Sequence, residues 1–461
     1  MSMSRALARG RVRALNKAKG GAALAALALL AAACGATASS ATSGTSGTTS
    51  SSGGGGKQTL TVETWVNPPA VQALKQIDAE FHKANPSINV NLRTAADITG
   101  PYATLLQTSV DSGSADIVTD YPPFQPLPLK ATKANETTWQ YWSTHNVFAP
   151  LNGQSFLSSY TPGAVKSETY NGKVYGVVSG AYQEGVFYNK ATFSKYGLSV
   201  PTTYNQFLTV LKTLKSKGVT PLFDALGNVG PTYLQFLYYN LIADDWYPSA
   251  PGGNLALGLE NGTVKWTSPQ FTKVMQQEKT IARYLEPNYT GIPWESMPGD
   301  FAKGDAAMLL DGSWDLAAVH QANPSMQVGF FPLPGSNTAA NNQPYEASNL
   351  TFSVLAASKH KTAAMKWLAF FSEPKIYAQY VDITGISPSE RSGNFTGFTA
   401  QTMGSWFGKG VSSGKLFPSL SPTAAYWDQP NNWPKLQQDV ISGSKTPAQV
   451  EQLYQQDWKT S

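Results

Sequence analysis

The chain has 461 residues, with 34 Lys and Arg against 29 Asp and Glu, and a single cysteine. Six of the basic residues (Arg5, Arg9, Arg11, Arg13, Lys17 and Lys19) fall in residues 1–33, which hold no acid, so the remainder has 28 basic against 29 acidic residues. That remainder lacks the basic excess a nucleic-acid partner requires, and one cysteine excludes an intrachain disulfide or a Cys zinc site.

In chain order, a basic head ending near Lys19 is followed by Gly20–Ala33, which is small or apolar throughout. Fourteen such residues are too few for a membrane-spanning helix, which takes about 20, and the arrangement reads as an export signal over 1–33. Leu30-Ala31-Ala32-Ala33-Cys34 then resembles a bacterial lipobox, departing from it in Ala31, where Leu is usual. The resemblance implies cleavage before Cys34 and lipidation of its thiol. The stretch that follows, through residue 57, is almost entirely Gly, Ala, Ser and Thr. It reads as a flexible tether with a reach of roughly 25 Å. About 400 residues then remain, a length that favours two lobes.

The folded part opens with strand alternation at Leu60, Val62 and Thr64, broken by Asn67-Pro68-Pro69. Ala70, Leu74, Ile77 and Phe81 recur at helical spacing. Ile88, Val90 and Leu92 read as a strand, Tyr102, Leu105, Leu106 and Val110 as a helix, and Ala115–Val118 as a short buried strand. Strand–helix–strand–helix–strand is the pattern of an α/β lobe with a largely parallel sheet. Further on, Thr203 with Gln206 and Thr446 with Gln449 have the spacing of helix capping boxes, the second with Pro447 in the first turn.

Catalytic and metal motifs are missing. The four histidines (His82, His145, His320, His360) lie far apart, and there is no Gly-x-Ser-x-Gly elbow and no phosphate-cradling loop. Asp311 and Asp315 lack the further ligands of a calcium loop. Asp244-Asp245 is the most visible carboxylate pair, but neighbouring side chains diverge, and it reads as a solvent-facing pair at a helix end or loop. All 12 Trp, 21 Tyr and 20 Phe follow the tether. Aromatic faces stack on the apolar faces of sugar rings, and loop settings single out Trp65, Trp246, Trp314 and Trp433.

Three segments carry a family resemblance. The first is Tyr170-Asn-Gly-Lys-Val-Tyr-Gly-Val-Val178 with Gly185-Val-Phe-Tyr-Asn-Lys190 and Phe193-Ser-Lys-Tyr-Gly-Leu-Ser-Val-Pro-Thr202. The second is Phe301-Ala-Lys-Gly-Asp-Ala-Ala-Met308 with Asp311-Gly-Ser-Trp314. The third is Ser358-Lys-His-Lys-Thr-Ala-Ala-Met-Lys-Trp-Leu-Ala-Phe370. In this order they resemble the sugar-binding class of extracellular solute-binding proteins of ABC importers, the class of the maltodextrin-binding protein. Val178 stands where that family usually has Pro.

The resemblance implies an α/β, two-lobe, periplasmic-binding-protein-like fold with two mixed, mostly parallel sheets flanked by helices and a ligand cleft between the lobes. With crossings near 178, 338 and 386, residues 58–177 plus 339–386 would form the first lobe, and 178–338 plus 387–461 the second. It further implies a non-enzymatic, cofactor-free and metal-free monomeric receptor, lipid-anchored outside the cytoplasmic membrane, that delivers sugar to separate permease subunits. Trp314, with Gly312 and Ser313, matches the family's stacking tryptophan. Tyr182 stands where the maltodextrin binder has an acidic sugar contact, with Gln183 and Glu184 as neighbours that could compensate. Asp120, Tyr121 and Phe124 follow the third strand, Trp65 and Asn67 the first; Thr232, Tyr233, Tyr426, Trp427 and Trp433 are further candidates. Three alternatives remain open at this point. The same fold could bind a charged solute such as a polyamine or organic acid, which requires charged residues converging on Trp314. A secreted glycoside hydrolase requires two suitably spaced carboxylates. A surface receptor that senses without transport is a third.

Overall fold

A computed structural model of the protein describes residues 57–96, 100–120, 138–227, 234–416 and 433–459. The leader, Cys34 and most of the tether lie outside the described residues. The first strand–helix alternation forms as the pattern predicts: β1 (Gln58–Trp65), α1 (Pro68–Ala84), β2 (Ile88–Ala95), α2 (Pro101–Ser112) and β3 (Ile117–Asp120). Asn67 starts α1, its side-chain oxygen accepting the Ala70 N–H at 3.1 Å, and Pro68 fills the first turn, where no N–H is needed. The helical-period residues Ala70, Leu74, Ile77 and Phe81 are the face that α1 buries. β1 runs between β2 and β3, parallel to both. After an intervening stretch, β4 (Val177–Val178) ends this part of the chain.

The next half is built around β5 (Ala181–Asn189), followed by α3 (Tyr204–Ser216), β6 (Leu222–Phe223), α4 (Gln235–Leu241), α5 (Pro269–Ile281), α6 (Met297–Lys303), β7 (Met308–Gly312), α7 (Leu316–Ala322), β8 (Val328–Phe331) and β9 (Tyr345–Ser348). The chain then forms β10 (Thr351–Val354), α8 (Lys361–Phe371) and α9 (Pro374–Thr384). It closes with α10 (Phe398–Met403), β11 (Val411–Ser412), α11 (Trp433–Ser442) and α12 (Pro447–Lys459). The first sheet has the order β2-β1-β3-β10-β4, the second β11-β9-β5-β7-β6 with β8 also on β5. Both sheets are mixed. β5 is antiparallel to β7, β8 and β9, and β10 is antiparallel to β3 and β4. The sheets are less parallel than the alternation suggests because these two strands enter from crossings between the sheets rather than from strand–helix–strand units.

Each sheet organises its own core. One cluster packs β1, α1, β3, β10 and α8–α9, with Phe81, Phe352, Trp367 and Tyr380 among its members. The second sheet has a cluster on each face. Alternation on β5 sends Val186 to one and Phe187 to the other. Among the described residues no helix is long and apolar enough to cross a membrane.

Three chain crossings join the halves side by side. Ser179 N–H donates to Leu350 O (2.7 Å), Asn349 N–H to Gly180 O (2.8 Å), and Ala181 and Ser387 exchange both backbone bonds (2.9 and 2.6 Å). Tyr377 Oη donates to Ser179 O at 2.7 Å and accepts from Ser389 N–H at 2.7 Å, pinning α9 to two of these crossings. Gly180 has φ +154°, and a Cβ there would lie 2.5 Å from Ile386 and 2.6 Å from Ser387 O, so a side chain has no room. The middle crossing therefore falls at 348–351 rather than near 338. β9 pairs with β5 through Tyr345–Glu184 to Ser348–Ala181, which keeps it in the second sheet.

Asp244-Asp245 also departs from expectation. Asp244 is fully buried and accepts the Gly335 and Gln343 N–H groups at 3.1 and 3.0 Å, clamping the segment that leads into β9. Asp245 pairs with Lys273. Both carboxyl groups are thus largely buried rather than solvent-facing, carried by a single wide helical turn, Ile242–Trp246.

Candidate functional site

β7 ends at Gly312, and residues Ser313–Asp315 make one tight helical turn before α7. This turn folds the Trp314 indole back over Gly312. A Cβ at 312 would stand 2.1 Å from the ring, so only glycine allows it. Tyr182 from β5 meets the indole edge-on, with centroids 5.0 Å apart and planes at 81°, and Phe236 from α4 lies 5.6 Å away. Trp314 itself is only half-buried. The result is an aromatic corner at the carboxyl end of β7, the end at which α/β sheets bind ligands.

The turn is wedged on two sides. Ser313 is buried, and its Oγ accepts the Gln183 N–H at 3.3 Å. Gly385, the left-handed residue that ends α9 (φ +71°), approaches so closely that a Cβ would lie 2.6 Å from Ser313 O. The Gln183 side-chain amide donates to Glu346 (2.8 Å) and to Trp406 O (2.8 Å), so Gln183 braces the second sheet from within. Glu184, one residue on, is buried against Tyr239 and Tyr345, and neither carboxyl oxygen has a hydrogen-bond partner among the described residues. Desolvation pushes its carboxyl well above the usual range, favouring the neutral form.

Carboxyl groups gather beside the platform. Asp224 follows β6 and Asp311 lies on β7, neighbouring parallel strands; each accepts a nearby backbone N–H (Ala225, 2.8 Å; Gly312, 2.7 Å). Burial raises Asp224 to about 8 and Asp311 well above the carboxylate range, the Asp315 charge adding to the second shift. Asp315 is raised to about 6, mainly by burial.

In the first half, Asp120 ends β3 half-buried, in register with Thr351 of β10. Behind it the Glu168 carboxyl is raised to about 8 by burial, with the Asp120 charge contributing. Trp65 is only 6 % exposed and its ring lies 5.8 Å from that of Tyr102, so it belongs to the first core instead of a free platform. Asn67 has its side chain in the α1 cap. Trp246 is buried against Trp266 and Phe271. Of the sequence candidates, the fold thus brings together Trp314, Gly312, Ser313, Tyr182 and Gln183. Tyr121, Phe124, Thr232, Tyr233, Tyr426 and Trp427 lie outside the described residues; Trp433 begins α11, and its side chain is not described. Sequence reasoning missed Phe236 and Gly385. No local motif marks either, since both reach the turn only through the tertiary fold.

The family model of the bacterial extracellular solute-binding proteins matches residues 66–378. The chain belongs to that family. This solute-binding protein is 27% identical over 319 residues to the multiple sugar-binding protein of Streptococcus mutans, covering 68% of this chain and 70% of that one. It is 26% identical over 222 residues to the melibiose/raffinose/stachyose-binding protein MelE of Bacillus subtilis, covering 47% and 51%. Among solved structures, RafE in complex with raffinose superposes with a TM-score of 0.66 at 21% identity, covering 87% of this chain and 99% of that one. A chitin oligosaccharide binding protein gives 0.67 at 20%, covering 87% and 98%. These likenesses establish the fold. Membership also makes this an exported, solute-binding protein of a family whose members here are binders.

Proposed function

We propose that this protein is the carbohydrate receptor of an ABC importer, tethered through lipidated Cys34 to the outer face of the cytoplasmic membrane, monomeric and without catalytic activity. The aromatic corner of Trp314, Tyr182 and Phe236 carries the reading, because a half-buried indole packed at the carboxyl end of β7 suits the apolar face of a pyranose. Gly312, Ser313 and Gln183 shape this wall. Asp120 is the first-lobe residue proposed to face this wall, and Tyr121, Phe124, Tyr233 and Trp433 are proposed as further solute contacts from the sequence resemblance alone. The first lobe is taken as 58–177 plus the chain from 351 to 386, the second as the rest, closing on solute by bending at the three stitched crossings.

The relatives' names point to neutral oligosaccharides of two to four sugars, and raffinose is the first to try. A charged solute is less well served. The acids beside Trp314 keep their free oxygens buried, and burial favours their neutral forms. A glycosidase is disfavoured as well, since it needs two accessible carboxyl groups about 5–5.5 or 6.5–9.5 Å apart, whereas Asp224 and Asp311 beside the platform are buried. A thermal-shift panel of raffinose, stachyose, melibiose, chitin and xylan oligosaccharides, spermidine and peptides tests the reading, because a ligand of the folded state raises the melting temperature. At least one oligosaccharide raises it. A rise with spermidine or peptide alone, or sugar hydrolysis during incubation, overturns the proposal.

A further inference from the structure

The first sheet has two ends. At one, Asp120 stands in register with Thr351, on the side of the candidate site. At the other lie the amino ends of β1, β2 and β3 and the carboxyl end of β10, neighbouring strands about 5 Å apart. Gln58 N–H donates to Ser87 O and His82 Nδ1 to Ile88 O, each at 2.8 Å. The chain thus enters the fold at Lys57 beside the last turn of α1, which carries Lys83.

A buried acid fastens the start of α8 to the same end. Asp116 accepts the Thr61 N–H at 2.8 Å on one oxygen and the Ser358 hydroxyl at 2.6 Å on the other. Ser358 Oγ in turn accepts the His360 N–H at 2.9 Å, and Lys361 Nζ donates to the Ala356 and Ser358 carbonyls at 2.7 and 2.8 Å. Lys57, Lys83, Lys359 and Lys361 are all exposed at this end, and none is paired with an acid among the described residues. Asp116 is engaged inside, and Asp111, exposed at the end of α2, bonds Gln107 at 2.9 Å. The basic excess is local, since the chain beyond residue 33 has 28 basic against 29 acidic residues.

We propose that this lysine-bearing end of the first sheet docks on anionic lipid headgroups and holds the receptor with its solute-binding end turned away from the bilayer. The proposal rests on the reading that Cys34 is lipidated. Attraction between exposed charges fades beyond a Debye length of about 8 Å, so it acts only where the surface is held close. The stretch from Cys34 to Lys57, with its reach of roughly 25 Å, brings this end to the membrane and raises its effective concentration there. A lipid surface fits better than a protein partner. Among the described residues the exposed large apolar side chains are Val66, past the opposite end of β1, and Val200 in the other half, so no apolar core of a protein interface stands here. Lys212, Lys215 and Lys217, at the end of α3, belong to the half that the tether does not enter.

The test uses the mature, membrane-extracted protein, whose lipid is checked by intact mass. With Cys34 capped, Ala84→Cys supplies a single thiol at the lysine-bearing end and Ser216→Cys one on α3. Energy transfer from each label to an acceptor lipid is compared in vesicles of phosphatidylcholine alone and with 30% phosphatidylglycerol. Transfer from residue 84 is higher with phosphatidylglycerol and falls between 50 and 500 mM salt, while residue 216 stays distant in both vesicles. Lys83→Gln and Lys359→Gln, which remove no hydrogen bond, each lower the docked-to-undocked ratio roughly fivefold, the scale of one basic residue at an anionic surface. Lys361→Gln does the same where its melting curve matches wild type. Equal transfer from residue 84 in the two vesicles overturns the proposal and leaves this end to an acidic protein. Transfer that follows phosphatidylglycerol at residue 216, and is lost in Lys212→Gln/Lys217→Gln, overturns it in favour of α3. If the mass shows no lipid, the anchoring reading fails by itself. Sedimentation of that unlabelled protein with phosphatidylglycerol vesicles, lost in Lys83→Gln/Lys359→Gln, then still supports the docking end, and no sedimentation overturns it.

Discussion

A single missing Cβ decides where the indole of Trp314 lies, since any side chain at 312 would occupy the ring's place. The grouping of Gly312, Ser313 and Trp314 was legible in the sequence through the family resemblance, not through any local strand pattern. Glu184 was not legible as an interior group. Alternation on β5 puts it on the inward face with Val186, but its complete burial depends on Tyr239 and Tyr345, which arrive from distant parts of the chain. Its carboxyl is held above the usual range by desolvation. A folded-state value above the unfolded one means that the folded chain holds the proton more tightly, so stability is lost as pH rises toward the folded value. Glu184→Gln keeps the shape without the titration. Its melting temperature relative to wild type should increase between pH 6 and pH 9.5; an unchanged difference would mean that Glu184 is not held neutral.

At the scale of elements, the sequence specified starts better than partners. Thr446 and Gln449 form the reciprocal box expected of them, with Gln449 Oε1 accepting the Thr446 N–H at 2.8 Å and Thr446 Oγ1 the Gln449 N–H at 3.3 Å. At α3 the box is offset. Thr203 accepts the Gln206 N–H at 3.3 Å, while Gln206 reaches back to Thr202 at 2.8 Å instead of Thr203. Thr203→Ala should therefore cost about 1 kcal/mol, the usual value of an N-cap, and leave solute affinity unchanged. Gly385→Ala is different in kind. It forces a side chain into a left-handed residue and against Ser313 O, costing roughly 1–2 kcal/mol and displacing the turn that carries Trp314. Chemical denaturation paired with a sugar titration separates the two, with affinity falling only for Gly385→Ala.

For the whole molecule, the α/β class was readable from periodicity, but the crossings were not. A crossing is fixed by which sheet accepts the next strand. Tyr345–Ser348 found its partner in β5, some 160 residues earlier, a pairing that no local pattern announces. Both halves also bury acids whose neutral forms are favoured: Asp78 is raised to about 7 and Glu168, Asp224 and Glu390 to about 8, in each case chiefly by burial. All four have folded values above their unfolded ones, so the stability they contribute is complete below about pH 4 and declines as pH rises to 8. Calorimetry across pH 5–9 should show the melting temperature falling steadily; a flat or rising profile would contradict the burial of these groups.

The account as a whole turns on Trp314 as the surface on which a sugar rests. Calorimetric titration of wild type and Trp314→Ala with the oligosaccharide giving the largest thermal shift tests this most directly. The expected loss is about 2 kcal/mol or more, roughly 30-fold in affinity, the scale of one aromatic side chain's apolar burial. Wild-type and variant proteins that melt alike and bind that sugar equally well would show that the solute rests elsewhere.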